Sequence, residues 1–504
     1  MQVNNRLCIL IIRLNYEVKI VKKSKAYQLI VVLSMLLSLV SFGSFQLAKE
    51  VNAQEEGKVY TIVTDTSYAP FEFYDGDGEL VGIDIELLAA IAENQGFEYE
   101  LMLLPFSSGL QALESGQADG MIAGMGITPD RENSFDFSEP YFQGGSMFAV
   151  DHDSDVESLE DLAGHTVAVK IGTTGEAIAN ELSSEYGFET VTFEDSVNMY
   201  QDVTAGNSVA VIEDAPVMQY AVNTGTVDLR LIGEEMESIP FGFAVNKGNN
   251  PELIEMFDAG LANIRESGEY DDILATYLGD GSGGPEAIDS SFFGQIRQNW
   301  DSLLSGLLTT IYITLVSIVL AMIVGILLGL MRSGQSKVLS GIALVYVDIM
   351  RGIPLLVLAF FIYFGIPQMT GLNLSAAAAG IATLSLNAAA YVAENVRGGI
   401  QAVAKGQAEA GRSLGLSYST TMKRIILPQA FKIMIPSFIN QFVITLKDTS
   451  ILSVIGLVEL TQTGRIIIAR TYQSGSMWLI IGLMYVILIT VLTKISNRLE
   501  KELM

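Results

Sequence analysis

Ser146-Met147-Phe148-Ala149-Val150 returns loosely, about a hundred residues on, as Phe241-Gly242-Phe243-Ala244-Val245. Two similar strands at that separation suit a chain that crosses from one lobe into a second and comes back. The surroundings agree. Residues 58–285 alternate β-rich stretches at 60–64, 99–104, 120–123, 147–150, 166–169 and 209–212 with helical patterns at 82–95, 107–117, 176–186, 196–206, 215–222 and 251–268. Such alternation predicts α/β units on largely parallel sheets. Two lobes joined by two strands make a hinge, and a ligand would sit in the cleft between them.

Charge is segregated along the 504 residues, whose net charge is −28. Residues 54–285 hold 45 Asp and Glu against 6 Lys and Arg; residues 286–504 hold 10 against 16, and the first 53 hold 2 against 7. A single soluble globule would not divide its charge in this way. The acidic part has no basic tract, which argues against nucleic acid as a partner. Most of its carboxylates are expected to form a solvated surface. Cys8 is the only cysteine, so disulfide frameworks and Cys-based metal sites are excluded, and His152 and His165 are too few for a His-rich centre. No metal site and no catalytic residue are expected.

Lys22, Lys23 and Lys25 precede an apolar run at 29–42, and Val51-Asn52-Ala53 follows. This pattern predicts a secretory signal over residues 1–53, with an uncleaved anchor helix as the alternative. Either places residues 54 onward outside the cell. Gly279-Asp280-Gly281-Ser282-Gly283-Gly284-Pro285 reads as a flexible linker, assigned to 279–292. Beyond it, residues 302–331 carry no charge and can cross a hydrocarbon layer of ~30 Å. Residues 352–393 are also uncharged, enough for two passes turned at Pro367-Gln368-Met369-Thr370-Gly371. Residues 471–493 give another pass, and the short stretch 433–446, with Pro436, Asn440 and Gln441 inside, gives a fifth. With the acidic domain outside, five passes put Lys494, Arg498 and Lys501 in the cytoplasm, as the positive-inside rule prefers. The basic segment 394–432 then also lies inside. Glu394 and Asp448 are either functional or interfacial at span ends; Asn440 and Gln441 line a pathway or bond a neighbouring helix.

Two sets of motifs carry a resemblance. Thr64-Asp65-Thr66-Ser67-Tyr68-Ala69-Pro70-Phe71, Gly82-Ile83-Asp84-Ile85-Glu86-Leu87, Gly124-Met125-Gly126-Ile127-Thr128-Pro129-Asp130-Arg131, Val169-Lys170-Ile171-Gly172-Thr173-Thr174 and Glu213-Asp214-Ala215-Pro216 follow in order. Together they resemble the polar amino-acid binding proteins of bacterial ABC importers. The resemblance implies a two-lobed α/β domain of the periplasmic-binding-protein type II class over 54–278. Lobe 1 would take about 58–146 and 241–278, and lobe 2 about 147–240. Arg131, with its rigid fork, would take the ligand carboxylate, unless it forms a surface salt bridge. Gly124 and Gly126 would let backbone approach the ligand. Thr173 and Thr174 would offer N–H groups at a helix start, or plain capping, or both. Asp214 matches the ammonium ligand, Tyr68 and Phe106 would stack on the aliphatic stem, and Asp65 and Lys170 would read the side chain. Lys170 and the hydroxyl-free Ala123 favour glutamine, then glutamate or asparagine. Glu213, an extra acid, keeps arginine or histidine as the third reading.

The second set is Glu409-Ala410-Gly411-Arg412-Ser413-Leu414-Gly415 followed by Ile425-Ile426-Leu427-Pro428-Gln429-Ala430, with Arg351-Gly352-Ile353-Pro354 and Ala393-Glu394-Asn395-Val396-Arg397-Gly398 upstream. These resemble amino-acid permeases of the same importers, in which the loop about 400–430 couples to a cytoplasmic ATPase. The resemblance implies an all-α transmembrane permease of about five helices over 293–504, with Glu409, Ala410, Gly415 and Pro428 in the coupling loop. Gly411 replaces the usual Ala and would loosen the coupling helix slightly. No G-x-x-x-x-G-K-[ST] occurs in the sequence. ATP and Mg would therefore belong to a separate ATPase subunit, and the chain would pair with a second copy in the plasma membrane. A ligand-gated channel or a membrane sensor using the same binding fold is the rival of another class.

Overall fold

The computed structural model describes residues 58–75, 78–278, 291–471 and 473–503. The expected signal at 1–53 and nearly all of the expected linker lie outside the described residues. In the first lobe a five-stranded sheet runs in the order Glu98–Leu103, Val59–Thr64, Gly120–Met121, Ala244–Asn246, Phe135–Phe137. The first three strands are parallel, whereas Ala244–Asn246 is antiparallel to both neighbours. The second sheet runs Glu189–Phe193, Thr166–Lys170, Ala210–Asp214, Phe142–Asp151, Leu229–Phe241. Here too three strands are parallel, and Phe142–Asp151 is antiparallel to both neighbours. The expectation of largely parallel sheets therefore holds for the strands joined by helices. It fails where the chain passes between lobes, because a strand entering from the far lobe has no crossover helix to reverse it.

Those passages are Phe142–Asp151 and Leu229–Phe241. They pair with each other from Phe142↔Phe241 to Asp151↔Leu229, with register slips between Ile232 and Met236 and between Met236 and Ile239. Irregular pairing of this kind lets a two-stranded ribbon bend. The echoed motifs end on different sheets: 146–150 belongs to the second and Ala244–Asn246 to the first.

Each lobe packs by simple periodicities. In the second, Phe148, Val150, Val167, Val169 and Ile212 face one helix layer, while Ala149, Ala168 and Val211 face the other. Alternate residues point to opposite sheet faces, so strands buried on both faces must be apolar throughout. In the first, Leu87 and Ile91 of helix Ile83–Gln95 meet Phe257 and Leu261 of helix Pro251–Ser267. Phe243 stacks on Phe257 with ring centroids 4.6 Å apart.

The C-terminal half is helical. Trp300–Ser333, Ala376–Ala402, the stretch Tyr418–Ile455 and Ser474–Lys494 are each long and apolar enough to cross a membrane. A fifth crossing needs Lys337–Gly352 and Leu355–Thr370 taken together, bent by 105°. The bend falls at Ile353-Pro354, where proline removes a helical donor and forces the preceding residue out of the helix. This corrects the reading of 352–393 as two complete passes. The first of them begins at Lys337, and its charges hid it from a search for uncharged runs. Gly371, at φ 71°, ends that helix where the turn was expected.

Helix Trp300–Ser333 approaches Ala376–Ala402 closely. A Cβ at Gly325 would lie 2.6 Å from Val392 Cβ, and one at Gly329 would lie 2.5 Å from Val396 Cβ. Two glycines four apart open a groove along one helix face. The bundle has two distinct ends. At one, Asn373 Nδ2 donates to Gly116 O (3.0 Å), Ser108 Oγ to Val454 O (3.2 Å) and Gln117 to Tyr363 O. The two-lobed domain rests on this end. At the other, Tyr418 donates to Ser333 O (3.2 Å), and the short helix Lys405–Ser413 projects. Replacing Gly329 by Leu is expected to lower the stability of the purified chain by about 1–3 kcal/mol, the usual range for overpacking. Denaturation in detergent measures this, and an unchanged midpoint would contradict the close approach.

Candidate binding site

The loops at the carboxyl ends of the parallel strands converge between the lobes, as in open α/β sheets generally. Asp65 follows strand Val59–Thr64, and Gly124 follows Gly120–Met121. Lys170 and Asp214 end Thr166–Lys170 and Ala210–Asp214. Phe106 begins helix Phe106–Glu114, Arg131 lies on the short helix Pro129–Glu132, and Thr174 begins Thr174–Tyr186. Tyr68, Phe106, Ala123, Gly124, Arg131, Lys170, Thr173, Thr174 and Asp214 line one cavity between the lobes. Of the expected residues, Gly126 and Asp65 stand behind this lining. Gly126 offers its carbonyl to Arg131 Nη1 at 2.8 Å, and Asp65 pairs with Lys170 Nζ at 2.6 Å.

Contacts across the cleft hold the lobes together. Besides Lys170–Asp65, Arg131 Nη2 donates to Gly172 O (2.9 Å), Tyr68 to Asp214, and Ser107 Oγ to Glu194 Oε2 (3.0 Å). Arg131 also lies over the Phe106 ring, 5.3 Å from its centroid. Its fork is thus fixed by two carbonyls and a ring, with further N–H donors left over. Gly124 has φ 54°, and any Cβ there would run into the Tyr68 ring, so only glycine fits. Thr173 caps the following helix through Glu176 N–H (3.3 Å) while its hydroxyl donates to Lys170 O (2.7 Å).

Burial alone would lower Lys170, but Asp65, Glu213 and Glu72 outweigh it and push its pKa up to about 12. It stays charged. Burial raises Asp214 while Tyr68 and Arg131 oppose the rise. Glu213 does not line the cavity. It accepts from Ser196 Oγ (2.7 Å) and Tyr200 (3.4 Å), and burial pushes it up to about 7.

A pair that sequence reasoning missed lies behind Gly124. Asp84 Oδ2 accepts the Gly124 N–H and the Tyr141 hydroxyl, each at 2.8 Å. Asp84 Oδ1 and both Glu72 oxygens are buried without a partner. Two facing buried carboxyls in this state share one proton. Burial drives Glu72 well above the carboxylate range, with Asp84 and Asp65 adding to the effect. Burial also lifts Asp84 to about 7 against its two donors. Only Asp84 has such donors, so the proton rests on Glu72. The available signal was an acid set between Ile83 and Ile85 in a helix whose neighbours are apolar.

Residues 60–280 match the family described as bacterial extracellular solute-binding proteins, family 3. Residues 317–503 match the binding-protein-dependent transport system inner membrane component. The glutamine transport system permease protein GlnP of Escherichia coli (strain K12) is 36% identical over 202 residues, 40% of this chain and 92% of that protein. In Bacillus subtilis (strain 168), the arginine transport system permease protein ArtQ is 38% identical, covering 40% of this chain and 92% of its own length. The arginine-binding extracellular protein ArtP of that organism is 31% identical, covering 47% of this chain and 94% of its own. The chain is a fused binding protein and permease of an amino-acid ABC importer. Its binding half has the two-lobed α/β fold expected, and its permease half is helical.

In this importer chain the expected coupling segment is a helix, Lys405–Ser413, that presents Glu409 and Ala410 to solvent. Gly415, at φ 76°, ends its last turn, and Pro428 sits in the first turn of Leu427–Asp448. Gly411 is not a loosening substitution. It is buried, and a Cβ there would lie 2.8 Å from Thr421 Cγ2, so the glycine lets the helix seat on its own stem. Leu414 beside it is 78% exposed. Glu394 pairs with Arg332 and, at 2.7 Å, with Arg397 at the same end of the bundle. Gln441 is buried and donates to Thr445 Oγ1 (3.4 Å), while Asn440 is exposed.

Because folding raises the Glu72 pKa, the folded state holds a proton that the unfolded chain releases above about pH 4.3. Stability from this group is full below that value and is lost as pH rises toward the folded pKa. Glu72→Gln keeps the hydrogen bond and removes the titration. Between pH 5 and 7 wild type is expected to lose about 1.4 kcal/mol per pH unit more than the variant, one proton's worth. Urea unfolding followed by circular dichroism measures both slopes, and equal slopes would exclude the shared proton.

Proposed function

We propose that this chain captures a polar amino acid outside the cell, glutamine first and glutamate or asparagine next, and forms the pathway for its uptake. The single observation that carries this reading is the pairing of opposite charges across one closed cavity. Arg131 stands ready for a carboxylate, and Asp214 for an ammonium. Tyr68 and Phe106 offer apolar faces to what lies between. Binding to both lobes favours the closed form by differential affinity. Lys170, charged and buried in the lining, disfavours a cationic side chain, because a second cation in a poorly solvated site has no free acid to balance it. The glutamine system named among the relatives supports the first choice. ArtP, which matches the binding half, and ArtQ, which matches the permease half, support the competing arginine reading.

The rest of the cycle follows from the layout. The binding domain rests on one end of the bundle and helix Lys405–Ser413 projects from the other, which supports an extracellular binding domain and a cytoplasmic coupling site. An ATPase subunit would receive Glu409, Ala410 and the exposed Leu414, and its closure would rock the spans to face inward. Two copies of the chain would complete the permease, each tethering a receptor at millimolar local concentration or so.

Calorimetric titration of the purified chain with all twenty amino acids tests the ligand. Glutamine is expected to bind, with affinity reduced about 100-fold or more in Arg131→Ala, consistent with loss of charge-assisted hydrogen bonds. Preference for arginine would overturn the glutamine choice, and no binding at all would overturn the ligand class. For the coupling site, Glu409→Lys is expected to abolish uptake of labelled glutamine in cells while leaving binding intact; normal uptake would remove that role.

A further inference from the structure

A second space, apolar over most of its lining, lies between the binding domain and the bundle, distinct from the cleft cavity but sharing a wall with it. It is bounded by Asp65, Asp195 and Asn198 of the two lobes, by Gln462 and Arg465 of the bundle helix Leu460–Thr471, and by apolar side chains such as Leu104. The wall is the Lys170–Asp65 pair, for Lys170 faces the cleft cavity and Asp65 faces this one.

Two polar atoms here have no hydrogen-bond partner although they are buried: Gln462 Oε1 and Arg465 Nε. Gln462 is 7% exposed. Unsatisfied buried groups are costly and call for an explanation. Their chemistry is complementary, since one is an acceptor without a donor and the other a charged donor without an acceptor. The nearby acids do not complete them. Asp65 is held by Lys170, and Asp195 accepts from Asn198 N–H (2.8 Å) and Asn198 Nδ2 (2.6 Å). No ion pair joins Arg465 to an acid among the described residues. An amino acid carries both missing partners, a carboxylate and an ammonium.

We propose that Gln462 and Arg465 form a transit site, where an amino acid leaving the cleft is held before it enters the bundle. The carboxylate goes to Arg465 and the ammonium to Gln462 Oε1. This rests on the amino-acid reading of the cleft. Separation of the lobes breaks the Lys170–Asp65 wall and joins the two spaces. The site is part of the bundle, so it acts on transfer and not on capture.

The test uses the full chain in cells and after purification. Arg465→Ala and Gln462→Leu are expected to leave calorimetric affinity for glutamine within about twofold and to cut the maximal rate of labelled glutamine uptake at least tenfold. Retained affinity shows that the binding half folds, and an unchanged, monodisperse elution in detergent shows that the bundle does. Normal uptake in either variant overturns the transit site. So does rescue of uptake by the exchange Arg465→Asp with Asp195→Arg, which would make Arg465 a docking charge. If wild type binds and imports no amino acid, the cleft reading itself fails and the transit site falls with it. Normal binding and uptake in wild type and variants alike would defeat only the transit site.

Discussion

A single ion pair, Lys170 with Asp65, connects the parts of this molecule. It is 2.6 Å long and almost wholly buried, and its members belong to different lobes. Lys170 ends a strand of one sheet and Asp65 directly follows a strand of the other, so their meeting fixes how the sheets face each other. Removing one partner from such a pair leaves an uncompensated charge, at about 3–5 kcal/mol. The pair therefore resists partial opening: the lobes are either together, with both charges satisfied, or apart, with both in water. Arg131 and Asp214 repeat the logic more weakly, through a carbonyl and a hydroxyl. Charge distribution supports this arrangement. The acids elsewhere in the domain are largely solvated, whereas a few scarce bases are placed where they bridge.

Behind that contact lies a stiffer layer. Asp84 grips the Gly124 amide and the Tyr141 hydroxyl, and Tyr141 immediately precedes the strand that leaves for the second lobe. The Gly124 loop, which lines the cleft cavity, and the start of the inter-lobe strand are thus anchored to one carboxylate. Such anchoring supplies pre-organisation, which reduces the ordering that binding must accomplish.

Much of this was legible in the residues, and the reasons for the remainder are physical. Strands such as Thr166–Lys170 and Ala210–Asp214 announce themselves because burial on both faces demands apolar runs at their centres. Arg131 stood out because bases are scarce in an acidic domain, and Lys170 because of the motif it shares with glutamine-type binding proteins. The Lys170–Asp65 pairing was not readable, since 105 residues separate its members and only the closed cleft joins them. Glu72 looked like one more surface acid. The bent helix Lys337–Gly352 was concealed by its own charges, Lys337, Asp348 and Arg351, which a hydropathy search treats as an interruption. Gln462 and Arg465 gained meaning only from what surrounds them.

The glycine groove between Trp300–Ser333 and Ala376–Ala402 has a mechanical consequence. Side chains that interlock at backbone distance cannot slide, because each would have to climb over the next. These two helices, each reaching from the end under the two-lobed domain to the end that carries helix Lys405–Ser413, therefore form one strut. A push at either end arrives at the other with little loss, as a tilt instead of a compression. The flexing must occur elsewhere, and the natural place is the 105° elbow at Ile353-Pro354, which lies beside the strut and is free to act as its fulcrum.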